Sequence, residues 1–146
     1  IYHITEDMEL LTKLYDLTIQ QNRWFTERQL QQLYLGLVHN IDVSKYAKPE
    51  YNYPLMAVIR RGLEQNVDIL PYFQQVKDKV SQKIHPVLAR LLLKELQKNG
   101  KPHRIINPLQ QHLKVIDSVD KLWQVINGMN NGMEVKNEVS ISLSVT

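Results

Sequence analysis

Apolar residues recur at helical spacing along most of this chain, and one stretch of the pattern is written twice. Leu30, Leu33 and Leu37 fall at i, i+3 and i+7, and Met56, Ile59 and Leu63 repeat that stripe 26 positions later. The same shift places Phe25 on Tyr51, Gly36-Leu37 on Gly62-Leu63, Asn40 on Asn66, and Tyr46 on Tyr72. It also aligns Ile41-Asp42-Val43 with Val67-Asp68-Ile69. A period in this range marks a supersecondary unit that buries its apolar face against a neighbour, so 25–46 and 51–72 predict a short helical repeat array.

Each copy opens with an aromatic and a capping residue, Phe25-Thr26 and Tyr51-Asn52. Thr26-Glu27-Arg28-Gln29 fits a capping box, with Gln29 reaching back. Pro54 sits in the first turn of the second helix, where its missing N–H costs little. Gly36 and Gly62 lie inside the helices, where glycine costs about 1 kcal/mol relative to alanine. Their matched phase predicts close approach by another helix. Asn40 and Asn66 are natural left-handed helix ends. Asp42 and Asp68 read as caps of short turns ending at Tyr46 and Tyr72.

Upstream, 5–21 reads as an amphipathic helix capped by Thr5. Downstream, 71–84 predicts a helix with Phe73, Val76, Val80 and Ile84 inward, broken by His85-Pro86. Pro86 opens a strong helix to Asn99, closed by Gly100. Val87, Leu88, Ala89, Leu91, Leu92, Leu93 and Leu96 fill its apolar arc. Arg90, Lys94 and Lys98 lie opposite, and Glu95 falls on the apolar side without an evident partner. Lys101-Pro102-His103-Arg104 reads as an extended connector. Asn107 then caps and Pro108 opens a long helix over 108–127, with Leu109, Leu113, Ile116, Val119, Leu122, Trp123 and Ile126 on one face. The tail 133–146 alternates Val139, Ile141, Leu143 and Val145 with polar residues, which is strand-like. Such a strand would pair with an earlier stretch, pair with another chain, or begin a further domain. The fold class predicted is all-α, a short repeat array followed by long amphipathic helices, with this tail as a C-terminal β-strand.

A length of 146 residues predicts a single domain with a core of its own. The absence of cysteine suits a reducing, cytoplasmic setting. No apolar run approaches the roughly 18 residues of a membrane span. The first residues, Ile1-Tyr2-His3-Ile4, carry neither Met nor a basic and apolar leader, and predict a fragment of a larger protein. The formal net charge of +3 is unevenly spread. Lys77, Lys79, Lys83, Arg90, Lys94, Lys98, Lys101 and Arg104 crowd 76–104 against Asp78 and Glu95 alone.

That excess is the compositional pointer to an anionic partner. Arg90, Lys94 and Lys98 recur every four residues, about 6 Å of helix rise per step. The row with its basic neighbours suits sequence-blind phosphate contacts with DNA, and equally suits a solvated helix face. No aromatic neighbour in the sequence interleaves with it, so a base-stacking platform is not expected. The chain holds no Gly-rich phosphate loop, no HExxH, no metal-spaced Cys/His cluster and no GxSxG. No catalytic residue, metal ligand or cofactor is therefore assigned. His112 is read as a packing histidine, His85 and His103 as solvated. Tyr46, Tyr51, Tyr53 and Tyr72 are read as packing anchors rather than nucleophiles.

Asp42-Val43-Ser44-Lys45-Tyr46-Ala47-Lys48-Pro49-Glu50-Tyr51 and Met56-Ala57-Val58-Ile59-Arg60-Arg61-Gly62-Leu63-Glu64 resemble a helical repeat of Gram-positive mobile-element proteins. Such repeats occur in phage and plasmid proteins, among them the C-terminal regions of conjugative relaxases. The chain is similar in this to the helical domain that follows the nicking domain of staphylococcal plasmid nicking enzymes. The resemblance covers 25–72. In that family the nicking chemistry belongs to an N-terminal domain with a tyrosine nucleophile and a His-apolar-His metal motif, which this chain lacks. The resemblance implies a non-catalytic accessory domain supporting conjugative plasmid transfer, through DNA or through other conjugation proteins. The alternative is a protein-binding helical module of a phage or plasmid protein.

Overall fold

A computed structural model describes residues 8–10, 12–16 and 25–130, with no side chains for 129 and 130. The described residues are mostly helical and contain no strand, so their fold is all-α. Of the helix expected over 5–21, the described positions are helical. The strand-like tail lies outside the described residues. The chain divides into two compact units after Asp68.

In the first unit, α1 (Glu27–Val38) starts where the capping box places it. Thr26 Oγ1 accepts from the Gln29 N–H at 3.2 Å, and Gln29 Oε1 accepts from the Thr26 N–H at 2.8 Å. The same buried side chain reaches further. Its Nε2 donates to the carbonyls of Pro49 and Tyr51 at 2.9 and 2.7 Å, tying the start of α1 to the approach to the next helix. That helix, α2 (Tyr53–Glu64), is capped by Asn52, whose side chain accepts from the Leu55 N–H at 3.0 Å, with Pro54 in the first turn.

Both helices end alike. Asn40 and Asn66 have φ of 59° and 63°, the left-handed conformation that terminates a helix. The N–H of Ile41 bonds the carbonyl of Gly36 at 2.8 Å, and that of Asn40 bonds Leu37 at 3.0 Å. Val67 to Gly62 and Asn66 to Leu63 repeat those bonds at 2.8 and 3.0 Å. This is the Schellman pattern, in which otherwise orphaned carbonyls of the last turn are satisfied.

The copies then diverge. Asp42 caps a 3₁₀ turn, Val43–Lys45, by accepting from the Ser44 N–H. After Asp68 the next helix is capped at Ile69 without a side-chain bond, and the Asp68 carboxylate accepts from Lys45 Nζ at 2.9 Å. Asp68 thereby links the two copies.

Arg28 bonds Tyr53, Gln32 bonds Arg60, and His39 bonds Glu64, so contacts advance together along α1 and α2. The two helices therefore run parallel, and 39–52 must carry the chain back to the start of the layer. Tyr46 anchors that return. It is fully buried and donates its hydroxyl to the Gln32 carbonyl at 2.7 Å. Burial pushes its phenol pKa well above the usual tyrosine range. A methyl at Gly36 would collide with Tyr46 Oη and lie 2.5 Å from Val43 Cγ1. The glycine admits a tyrosine from its own return segment, where the pattern predicts another helix. Leu33, Met56 and Ile59 are buried, while Leu30, Leu37 and Leu63 remain half-buried on the stripe's margins.

The second unit contains α3 (Leu70–Val76), α4 (His85–Asn99), α5 (His103–Gln111) and α6 (Val119–Asn130). The helix expected over 71–84 stops at Val76, and short 3₁₀ turns, Lys77–Lys79 and Gln82–Ile84, lead to α4. Between them Val80 is extended and pairs in parallel with Ile116, through Ile116 N–H to Lys79 and Ser81 N–H to Ile116, both at 2.8 Å. The long helix expected over 108–127 does not form either. Helix α5 begins at His103, within the predicted connector, carries Pro108 inside it, and ends at Gln111. Pro108 cannot donate to the carbonyl four residues back, which weakens that helix. The bridge then holds 112–118 out of helix. Leu113, expected inward, is 94% exposed. Ser118 restarts the helix by accepting from the Lys121 N–H. Gly100 does close α4, at φ 71°.

Gly36→Ala tests the Tyr46 notch. Helix propensity favours alanine by about 1 kcal/mol, but overpacking costs typically ~1–3 kcal/mol. The expected outcome is a net loss of ~1–2 kcal/mol, read as a lower urea midpoint at unchanged slope. The loss should shrink when Tyr46→Phe removes the colliding hydroxyl.

Candidate functional site

Helix α4 carries two faces that share an edge. Leu88, Ala89 and Leu92 are buried, Arg90, Lys94 and Lys98 are exposed, and Leu91 lies between them. Positions 91, 94, 95 and 98 fall at i, i+3, i+4 and i+7, so they form one side of the helix. That side meets Arg104 and Ile105 of α5 and Trp123 and Ile126 of α6 around a cavity of about 210 Å³.

Glu95 lines this cavity and is only 6% exposed. Its Oε1 accepts from Arg104 Nη2 at 3.0 Å and its Oε2 from Asn99 Nδ2 at 3.1 Å. A buried carboxylate without partners is costly, so these bonds explain how glutamate is tolerated on the apolar side of α4. The Arg104 hydrogen bond holds its carboxyl below the ordinary glutamate range. Burial opposes that, and Asn99 adds to it.

The predicted basic residues separate into groups. Lys94, Lys98 and Arg104 converge on the cavity. Arg90 and Lys101 are exposed nearby in sequence. Among the described residues Arg90, Lys94, Lys98 and Lys101 enter no ion pair, whereas Arg104 is bound to Glu95. Lys77, Lys79 and Lys83 belong to the segment between α3 and α4. Lys79 Nζ is occupied by the His112 carbonyl at 3.1 Å, and Lys83 is exposed with its charge felt at Asp117.

Helical periodicity predicts an inward Trp123. It is 40% exposed and walls the cavity, while its neighbours Leu122 and Ile126 are 0% and 1% exposed. An aromatic therefore does stand beside the basic row, contrary to the sequence expectation. It comes from 25 residues beyond Lys98, so only folding brings them together.

Two of the described histidines sit otherwise than the sequence predicts. His85, expected in solvent, lies edge-on to Phe73 with ring centroids 5.2 Å apart. Its Nε2 lies 2.8 and 3.0 Å from the Lys77 and Val80 carbonyls. Carbonyls only accept, so Nε2 carries the proton. His112 is the residue after α5, half-buried, rather than part of a helical apolar face. Among the described residues no group of three or more His, Asp or Glu is placed to hold a metal ion. No helix among them is long and apolar enough to cross a membrane. Compared with known proteins, the chain matches no family model, no curated protein and no solved structure.

The Glu95 pairing has a signed pH dependence. Its folded pKa is depressed, so the stability it contributes is complete above the unfolded glutamate value of about 4.3. That stability is lost as pH falls through the lower folded value. Urea midpoints measured against pH should fall across that acid window, with a flatter profile in Glu95→Gln. Arg104→Ala should cost ~1–3 kcal/mol at neutral pH by removing one partner of a buried carboxylate.

Proposed function

We propose that this chain is a non-catalytic helical module that contacts nucleic acid through the basic side of α4, with Arg90, Lys94, Lys98 and Lys101 meeting phosphates. The setting follows from the resemblance. The module is the C-terminal accessory domain of a plasmid relaxase and supports conjugative transfer by holding DNA or the assembly around it. The observation that carries this reading is a row of exposed cations on one helix, continuous with a cavity that Arg104 also lines. Exposed cations with no ion pair among the described residues are available to phosphate, whereas paired ones must first give up a partner. The matched caps, matched helix ends and parallel course of α1 and α2 support reading 25–72 as two copies of one repeat.

A protein-binding module is the second reading. It is favoured by the segment between α5 and α6, where Leu113 and Val115 are 94% and 61% exposed. Capture of a defined protein partner after nuclease treatment, without any shift of DNA, would favour it.

The test is charge reversal. Arg90→Glu, Lys94→Glu and Lys98→Glu together should abolish binding to short DNA strands and duplexes, with helix content by circular dichroism unchanged. Removing these cations one at a time should lower the slope of log affinity against log salt by about 0.7–0.9 for each phosphate no longer neutralised. Unchanged affinity in the triple variant would make the row a solvated face.

A further inference from the structure

Three properties of the cavity in the second unit do not follow from a simple phosphate-binding face. Its wall includes an indole left 40% exposed, while Leu122 and Ile126 of the same helix are buried. It is lined also by the exposed Lys94 and Lys98, residues whose alkyl stems suit an apolar wall while the charged ends stay in water. Its lining includes Glu95, whose negative charge repels a phosphate. An inorganic anion would meet that charge at close range. A ligand with a flat apolar body, donor groups at one edge and an anionic tether would satisfy all three.

We infer that this cavity takes one unstacked base of a single-stranded nucleic acid. The base lies on Trp123, its exocyclic amine faces Glu95, and its flanking phosphates meet Lys94 and Lys98. This rests on the nucleic-acid reading above and narrows it to single strands. In a duplex the bases are stacked and paired, so none can enter a cavity between helices without being extruded at an energetic cost. Stacking on an aromatic side chain accepts any base, but the carboxylate does not. Each Glu95 oxygen takes one protein donor, and an ionised carboxylate has about four acceptor positions in all. Cytosine and adenine offer exocyclic amines to such an acceptor. Thymine has no exocyclic amine, and its one donor, the imino N3–H, lies between two carbonyl oxygens that the carboxylate repels. The cavity therefore prefers amine-bearing bases to thymine.

The experiment uses the whole chain carrying Trp24→Phe, which leaves Trp123 as its tryptophan, since the sequence holds two. Single strands of oligo-dC and oligo-dT, on the order of ten nucleotides to match typical site sizes, and a duplex of the same length are titrated at low salt. Oligo-dC should quench Trp123 fluorescence and bind more tightly than oligo-dT. Trp123→Ala should weaken single-strand binding roughly 5- to 150-fold, the range expected for losing one stacked base. Duplex affinity and its salt slope should not change. Trp123→Phe should restore most of the single-strand affinity. Because Trp123 is partly exposed, these variants leave the core intact, which circular dichroism checks.

Single-strand binding that survives Trp123→Ala, or that never quenches Trp123, overturns the base pocket while the charged face stands. Equal affinity for oligo-dC and oligo-dT overturns the role of Glu95. Failure of every strand and duplex to bind overturns the nucleic-acid reading itself, and this inference with it.

Discussion

The arrangement of the second unit hangs on a carboxylate that must not be buried alone. Glu95 projects from the apolar side of α4, and Arg104 reaches it because α5 starts at His103 rather than several residues later. That pair brings the first turn of α5 beside the last turns of α4. It also determines the character of the cavity. One wall is the side of α4 bearing Lys94 and Lys98, the lining holds a negative charge already engaged by the protein, and the far wall is α6. Without the pair, the same cations would form an undifferentiated basic surface. With it, they flank a cavity whose lining already holds a paired carboxyl residue.

The first unit solves a different problem. Two consecutive helices that run parallel require a return segment, and returning chain exposes backbone polar groups and gaps. Gln29 and Tyr46 deal with this at opposite ends of α1. Gln29 satisfies the carbonyls of Pro49 and Tyr51 while completing its own capping box. Tyr46 fills the notch at Gly36 and bonds the carbonyl of Gln32. Glu64 accepts from Arg60 of its own helix at 2.6 Å and from His39, just after α1, at 2.8 Å. Burial works to raise the Glu64 pKa, but these partners, Arg60 foremost, hold it below its ordinary value. The result is a pair of helices whose polar groups are matched across α1 and α2.

Features whose cause lies within a few residues are legible from the chain alone. The capping box at Thr26, the Asn52 cap, the left-handed ends at Asn40 and Asn66, and the Gly100 stop all depend on local backbone preferences and neighbouring hydrogen bonds. The apolar stripe of α4 and the basic row opposite it follow from helical periodicity alone. So does the oddity of Glu95, which the pattern flags without explaining.

What only the tertiary structure decided are the outcomes of competition between local preference and distant contacts. The apolar spacing over 108–127 is compatible with one helix, yet Ile116 gains backbone bonds to Lys79 and Ser81 by leaving it, and Pro108 weakens the helix before the break. The same bridge ends α3 early by drawing Val80 into extended form. Trp123 shares a helical face with Leu122 and Ile126, so periodicity alone places it inward. Whether that face is covered depends on how far α4 and α5 reach across it, and they leave a gap. Glu95 and Arg104 are nine residues apart on different helices, and their pairing exists only once a turn at Gly100 folds one helix back toward the other. Short-range geometry is written in neighbouring residues, whereas the cavity is made by three helices whose meeting no local pattern encodes.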